Sequence, residues 1–269
     1  MGSETADDHL LVERDGAVAT LVINRPEQRN AISYAMWGRF PAVLRDIERD
    51  EAVRVVLLTG SGERAFSAGA DIKDFEQTRS TPEQARDYRE RVEAACAALG
   101  SLPKPTIAVV RGYCLGGGFE LALCADLRVA ARDARFGLPA ARRGIAVSHA
   151  HLARLLGIAG RGTASYLLLS GRELGAEEAL AAGLVNSVHA PDELDAYVRE
   201  LAADIAKLSP TSHRLHKGAL ADLGEHGAVA NVPADRLALP ETAASSEDFR
   251  EGVRSFLERR EPEFPGREG

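Results

Sequence analysis

Apolar positions in the first 60 residues fall into two kinds of pattern. His9–Glu13 and Ala17–Ile23 are short apolar runs on either side of Asp15-Gly16, a two-residue hairpin signal. Tyr34–Ile47 has the three-to-four spacing of an amphipathic helix, with Pro41 a blemish inside it. Val53–Thr59 is a run rich in β-branched residues, apolar but for Arg54 and Thr59 and stopped by Gly60, which predicts a buried strand.

The next stretch is punctuated more sharply. Thr81-Pro82-Glu83-Gln84 supplies an N-cap, a proline for the first helical position and a capping glutamine. Tyr88, Val92, Ala95, Cys96 and Leu99 then form one stripe ending at Gly100. Pro103 and Pro105 introduce an apolar strand, Thr106–Val110, followed by a glycine-rich turn, an apolar helix, Phe119–Ala125, and a further strand, Asp126–Ala130. Strand, turn and helix recur three times without a sharp internal sequence repeat, and this alternation predicts an α/β layer architecture. From about Asp192 the chain is helical and charged, with no strand-like run after Leu184–Val188. A core of residues 1–199 and a helical region of residues 200–269 are expected. No low-complexity linker separates them, so the helical part is expected to pack on the core or on another subunit.

Composition narrows the classes of function. The 269 residues carry a net charge of -7 and a pI near 5.6, which lacks the basic footprint of nucleic-acid or anionic-membrane binding. A soluble enzyme of small molecules fits better. The apolar runs are far shorter than the roughly 20 residues that cross a bilayer. The acidic start is unlike a signal peptide, and Ala6 stands where N-myristoylation wants Ser or Thr. Cys96, Cys114 and Cys124 sit in apolar surroundings without CxxC spacing and read as reduced core thiols, so a cytoplasmic location is expected.

Two glycine turns carry the candidate chemistry. The first, Ala65-Phe66-Ser67-Ala68-Gly69-Ala70-Asp71-Ile72-Lys73, follows a strand and leads toward a helix start at Asp71. Small residues let a ligand approach the backbone, and a helix start offers unpaired N–H groups to a negative oxygen; equally, Asp71 serves as an ordinary N-cap of a tight connection. The second runs from Arg111 to Ala125 and contains Gly116-Gly117-Gly118. Three ordered glycines need positive φ angles or close contact, and neither a dinucleotide fingerprint nor a P-loop spacing is present. Glu120 stands alone in an otherwise apolar helix. It reads either as a first-turn partner of the helix dipole or as a buried acid/base whose pKa is raised toward neutrality.

Together these segments resemble the crotonase, or enoyl-CoA hydratase/isomerase, superfamily. The resemblance runs over Asn24-Arg25-Pro26 with Asn30-Ala31, Ala65–Phe75, Arg111–Ala130, Phe136–Pro139, Ser170-Gly171, Glu177 to Ala179, Ser246–Phe249 and Phe256–Arg260. It implies a spiral of ββα units, a C-terminal helical region used in trimer formation, and a homotrimer or dimer of trimers. By the same resemblance the amides of Ala70 and Gly117 form an oxyanion hole. Ala68, Asp71, Ile72 and Lys73 meet the CoA, Arg259 stands near a CoA phosphate, and Glu120 is a catalytic carboxylate. No cofactor beyond the substrate's own CoA is implied.

The sequence departs from that pattern at two places. Hydratases of the family carry a second catalytic glutamate directly after the proline of a Gly-x-Pro-Glu segment, and this chain has Gly137-Leu138-Pro139-Ala140. The family's Pro-Gly-Ala-Gly-Gly run is replaced by Val147-Ser148-His149-Ala150-His151. Ser148, His149 or His151 are therefore candidates for the lost acid/base function, the bland alternative being that they only cover a helix. A metal site is not expected, because His149 and His151 splay apart on a helix; His213 and His216 read as surface residues. Ser67 has no spaced His and Asp, which argues against a Ser-His-Asp hydrolase such as the Clp-type proteases of related fold.

The leading expectation is a lyase working on an acyl-CoA through an oxyanion-stabilised enolate, with hydration or dehydration the modal reaction; Ala140 counts against hydration and isomerisation alike, so at most weak hydration of crotonyl-CoA and longer enoyl-CoAs is expected. Decarboxylation or C–C hydrolysis, on CoA or acyl carrier protein thioesters, is the first alternative. A catalytically silent CoA-binding protein is the second.

Overall fold

The computed structural model describes residues 9–266. The opening hairpin pairs β1 (Leu10–Asp15) with β2 (Val18–Ile23) antiparallel, Asp15 facing Val18. Its two-residue turn is Gly16-Ala17, one position later than the sequence pattern suggests, because Gly16 is the residue that takes the left-handed conformation (φ +56). Helix α1 (Tyr34–Arg49) follows, and Pro41 is carried inside it. Its buried stripe of Met36, Trp37, Phe40, Leu44 and Ile47 outweighs the helix bond that Pro41 removes.

Three units of the same kind come next. Each places a strand in a large sheet, a three-residue strand in a small sheet, and then a helix. The first is β3 (Val55–Gly60), β4 (Ala65–Ser67), a short α2 (Phe75–Thr78) and the long α3 (Pro82–Gly100). The second is β5 (Thr106–Val110), β6 (Tyr113–Leu115) and α4 (Gly117–Ala122). The third is β7 (Leu127–Ala131), β8 (Arg135–Gly137), a 3-10 turn over Pro139–Arg143, and α5 (His149–Ser170), interrupted at Gly160. Strand β9 (Glu173–Gly175), α6 (Ala176–Ala181) and β10 (Ser187–His189) close the core.

The large sheet has the order β1-β2-β3-β5-β7-β10, parallel from β2 onward, and the small one β4-β6-β8-β9, with only β9 antiparallel. The expected spiral of ββα units is present. The entire small sheet is invisible to hydrophobic patterning, since three residues are too few to display a period. Helix α4 begins at Gly117 and is shorter than its apolar run, and the last strand falls at Ser187–His189 instead of Leu184–Val188.

The large sheet is buried on both faces, and its strands divide by parity. Val56, Leu58, Ala108 and Val110 point to the main core with Trp37, Phe40, Phe66, Phe119 and Phe136. Val55, Leu57, Ile107 and Val109 point to the other side, where Leu194, Val198 and Ala202 of α7 (Leu194–Ala206) cover them. Residue 200 thus lies within a helix packed on the sheet. Beyond it come α8 (Pro210–His226), α9 (Leu239–Ala244) and α10 (Glu247–Glu258). No helix among the described residues is long and apolar enough to cross a membrane.

Candidate active site

The first turn is fixed from outside by the Asn24–Ala31 segment. Asn30, 1% exposed and at φ +56, donates through Nδ2 to the carbonyls of Ser61 (2.9 Å) and Ala65 (2.7 Å), and its Oδ1 accepts from Arg25 N (3.0 Å). The Arg25 guanidinium bonds the Ala31 carbonyl at 2.8 Å and the Asp71 carboxylate at 2.9 Å. Ile32 then bridges to Ala70: Ile32 N donates to Gly69 O, Asp71 N donates to Ile32 O, and Gly69 N is satisfied by Ser67 Oγ. The neighbouring amides are all committed, and the Ala70 N–H is turned the other way. Among the described residues it has no acceptor.

The second turn presses against the first. Gly116 adopts φ +51, and Gly69 adopts φ +101 with Leu115 O only 2.9 Å, and Gly117 N 3.4 Å, from where a Cβ would stand. A Cβ on Gly118 would lie 2.5 Å from that of Ser67. The glycine run is thus required by backbone approach and by conformation together. Gly117 is the first residue of α4, so its N–H is one of the helix's orphan donors, and it too lacks an acceptor among the described residues. Two unpaired amides on adjoining turns are donors that an oxygen bearing negative charge could accept from.

They open into a cavity of about 700 Å³, within the range of small-molecule sites, lined by Ala68, Ala70, Gly117, Glu120, Ala140 and His151 among others. Ile72, half exposed, also lines it. Asp71 is buried and spends its carboxylate on Arg25 and on Lys73 N (3.1 Å), the N-cap role. Lys73 is exposed and outside the lining, and Arg259, the left-handed C-cap of α10, is likewise exposed and outside it.

Glu120 sits in the first turn of α4 among buried Gly118, Phe119, Leu121 and Ala122, its own side chain 13% exposed. Burial pushes its carboxyl up to about 7, while Arg79 pulls it down and Glu93 adds to the rise. Opposite it stands His151, whose Nε2 is 3.9 Å from Glu120 Oε2. Burial lowers the His151 pKa, Glu93 opposing and Arg154 assisting. Of the replaced run, His151 is the residue that turns inward, one helical turn into α5; His149 is exposed at the cavity rim. Ser148 occupies the N-cap of α5 but makes no capping bond, and its buried Oγ has no partner among the described residues while lining the same cavity. Ala140 lines the cavity from the 3-10 turn, so the position of the missing carboxylate faces the site with only a methyl group.

Sequence reasoning did not single out Arg25 and Asn30 as the frame of the first glycine turn, nor Arg79, Trp37 and Tyr88 as cavity walls. Trp37 Nε1 donates to the Tyr88 hydroxyl at 3.2 Å, tying α1 to α3 behind the site. Only the positive φ demanded at Asn30 leaves a trace in sequence, since asparagine tolerates it.

Comparison with known proteins agrees with this geometry. A family model described as enoyl-CoA hydratase/isomerase matches residues 13–267. The chain is 35% identical over 262 residues to a crotonyl-CoA hydratase of Syntrophomonas wolfei, covering 96% of this chain and 98% of that one. It is 36% identical over 258 residues to a 2,3-dehydroadipyl-CoA hydratase of Escherichia coli, covering 96% and 99%. Among solved structures, an enoyl-CoA hydratase/carnithine racemase from Magnetospirillum magneticum superposes with a TM-score of 0.92 at 35% identity, covering 97% of each chain. With two unpaired amides and a buried glutamate on the same cavity, and a family match spanning nearly its whole length, the chain belongs to the enoyl-CoA hydratase/isomerase family.

Proposed function

We propose that the protein adds water reversibly across the α,β double bond of an enoyl-CoA, with Glu120 and His151 as its acid/base pair. The observation that carries this reading is the approach of His151 Nε2 to Glu120 Oε2 at 3.9 Å beside the two free amides. The names of the relatives favour hydration, and they differ in acyl group, so the acyl chain does not follow from likeness.

Burial discharges both partners near neutral pH: it favours the carboxylic acid at Glu120 and the neutral imidazole at His151. The thioester oxygen accepts from Ala70 N–H and Gly117 N–H, and His151 takes a proton from a water whose oxygen bonds to Cβ. The electron pair of the double bond moves to the thioester oxygen as an enolate, which then collects the Glu120 proton at Cα. The imidazolium returns its proton to the Glu120 carboxylate, and the site is reset. Ser148 Oγ, buried and unpartnered on the same cavity, is the group we assign to hold that water. No cofactor beyond the CoA of the substrate enters these steps.

The pair sets a pH profile. Activity needs Glu120 protonated and His151 neutral, so kcat/KM should fall above about 7 as the carboxyl ionises and fall again below the depressed His151 value. His151→Ala should lower kcat about 100-fold and erase the acid limb. Ala140→Glu in that background should recover activity, because a carboxylate at Ala140 would enter the same cavity. A His151→Ala enzyme of full hydration activity would exclude His151 as the base, whereas an intact protein that hydrates no enoyl-CoA would favour decarboxylation or C–C hydrolysis. Mass spectrometry of the products separates these from hydration.

The C-terminal region supports self-assembly. Helix α10 leaves Phe249, Val253, Phe256 and Leu257 exposed at helical spacing, and Leu220 and Leu223 of α8 are exposed as well. We expect a homotrimer or a dimer of trimers, and sedimentation equilibrium should return three or six chains.

A further inference from the structure

Four arginines line the cavity against two carboxylates, Glu120 and Glu173. Arg89 is held by Glu93 at 2.8 Å, and Arg142 and Arg143 are exposed on the 3-10 turn. Arg79 differs from all three. It is half-buried, and its guanidinium lies over the rings of Phe75 (4.6 Å) and Tyr88 (4.9 Å). It has no hydrogen-bond or ion-pair partner among the described residues.

The two rings stand nearly perpendicular to each other (77°), so they hold the cation between them without accepting hydrogen bonds from it, and its N–H donors remain for a ligand in the cavity that Arg79 lines. A cation held by rings and bonded to no carboxylate leaves its donors open to a ligand's anion. Trp37, Val92 and Leu138 line the same cavity with apolar side chains. Arg79 is also close enough to Glu120 for its charge to act on that carboxyl, so the anion it takes lies toward the carbon chain that Glu120 serves. The CoA phosphates are separated from that carbon by the whole pantetheine arm.

Resting on the acyl-thioester reading above, we propose that Arg79 is a specificity residue that binds a terminal carboxylate of the acyl chain. The substrate class is then the CoA monothioester of a dicarboxylic acid.

Calorimetric titration with unreactive saturated ligands tests this without turnover. The intact protein should bind glutaryl-CoA or adipyl-CoA about 10- to 100-fold more tightly than butyryl-CoA, the range set by a charge-assisted hydrogen bond. Arg79→Met should abolish that preference while free CoA binds as before, and Arg79→Lys, which keeps the charge and loses the fork, should retain part of it. Circular dichroism checks that each variant is folded. Equal affinities in the intact protein would overturn the proposal, as would a preference that survives Arg79→Met. Weaker binding of free CoA to Arg79→Met would overturn it in favour of a phosphate role. If no CoA compound binds, the acyl-thioester reading fails with it, whereas tight butyryl-CoA binding without preference sinks the carboxylate alone.

Discussion

Glu120→Gln should lower kcat for enoyl-CoA hydration by about 1000- to 10000-fold, the upper part of what one positioned acid contributes, with KM changed by no more than a small factor. The amide is nearly isosteric and uncharged, so it keeps the packing of α4 and cannot give or take the proton. Exchange of the α-proton of a saturated acyl-CoA in deuterated water should disappear in parallel, which tests enolate formation independently of product. The same substitution should raise stability at alkaline pH. The Glu120 carboxyl goes from an ordinary value of 4.5 to about 7 on burial, so the folded state holds its proton more tightly than the unfolded chain. The resulting cost begins above pH 4.5 and is complete above about 7, where it is worth about 3 kcal/mol. The variant's gain in Tm should therefore be present at pH 8 and absent at pH 4. A gain of equal size at both would mean that ionisation of Glu120 is not its source. The residue costs stability where the site gains function.

Gly117→Pro should remove one oxyanion donor and put the ring's Cδ where that N–H points, close to Ala70 N, which lies 3.6 Å from an added Cβ. Gly117 is the first residue of α4, where proline is favoured and its missing N–H breaks no helix bond. The preceding Gly116, at φ +51 and ψ -128, tolerates what other residues would not. A Cβ at residue 117 would meet Trp37 Cζ2 at 3.0 Å, so that ring must shift by a few tenths of an ångström. The expected result is a kcat about 100- to 1000-fold lower, the usual cost of one such donor, with a cooperative unfolding transition retained. Activity within about tenfold of the parent would show that the Gly117 amide does not bear the developing charge. The comparison with Glu120→Gln is informative because the two act on different atoms of one enolate. If they belong to one step, the double variant should lose much less than the product of the two single losses.

The large sheet, the capped helix α3 and the two glycine turns were legible in the sequence because each depends on local chemistry. Val55–Leu58 is apolar throughout because both faces of its strand are covered. Thr81 and Gln84 form the reciprocal capping box that their spacing predicts. Glu120 stood out because a lone carboxylate in an apolar helix has no cheap structural reason to be there. The small sheet was not legible, since its strands are three residues long and are held by neighbours brought in from elsewhere. Asp71 shows the same limit on a single side chain: its cap to Lys73 N is local and predictable, but its ion pair with Arg25 spans 46 positions.

The order of residues alone pointed to the kind of site, because a pair of backbone donors requires small residues and a helix start, and these leave a mark in any chain that builds one. It also determined what was missing, Ala140 in place of a carboxylate. What it could not determine was which of Ser148, His149 and His151 faces Glu120. Three adjacent polar candidates at the start of a helix differ only in the direction each points, and that direction is set by how α5 lies against α4 and α3. Tertiary packing turned His151 inward to 3.9 Å from Glu120 and left His149 at the rim. It also stacked Arg79 on rings contributed by α2 and α3, giving the cavity a cation whose role no spacing along the chain predicts.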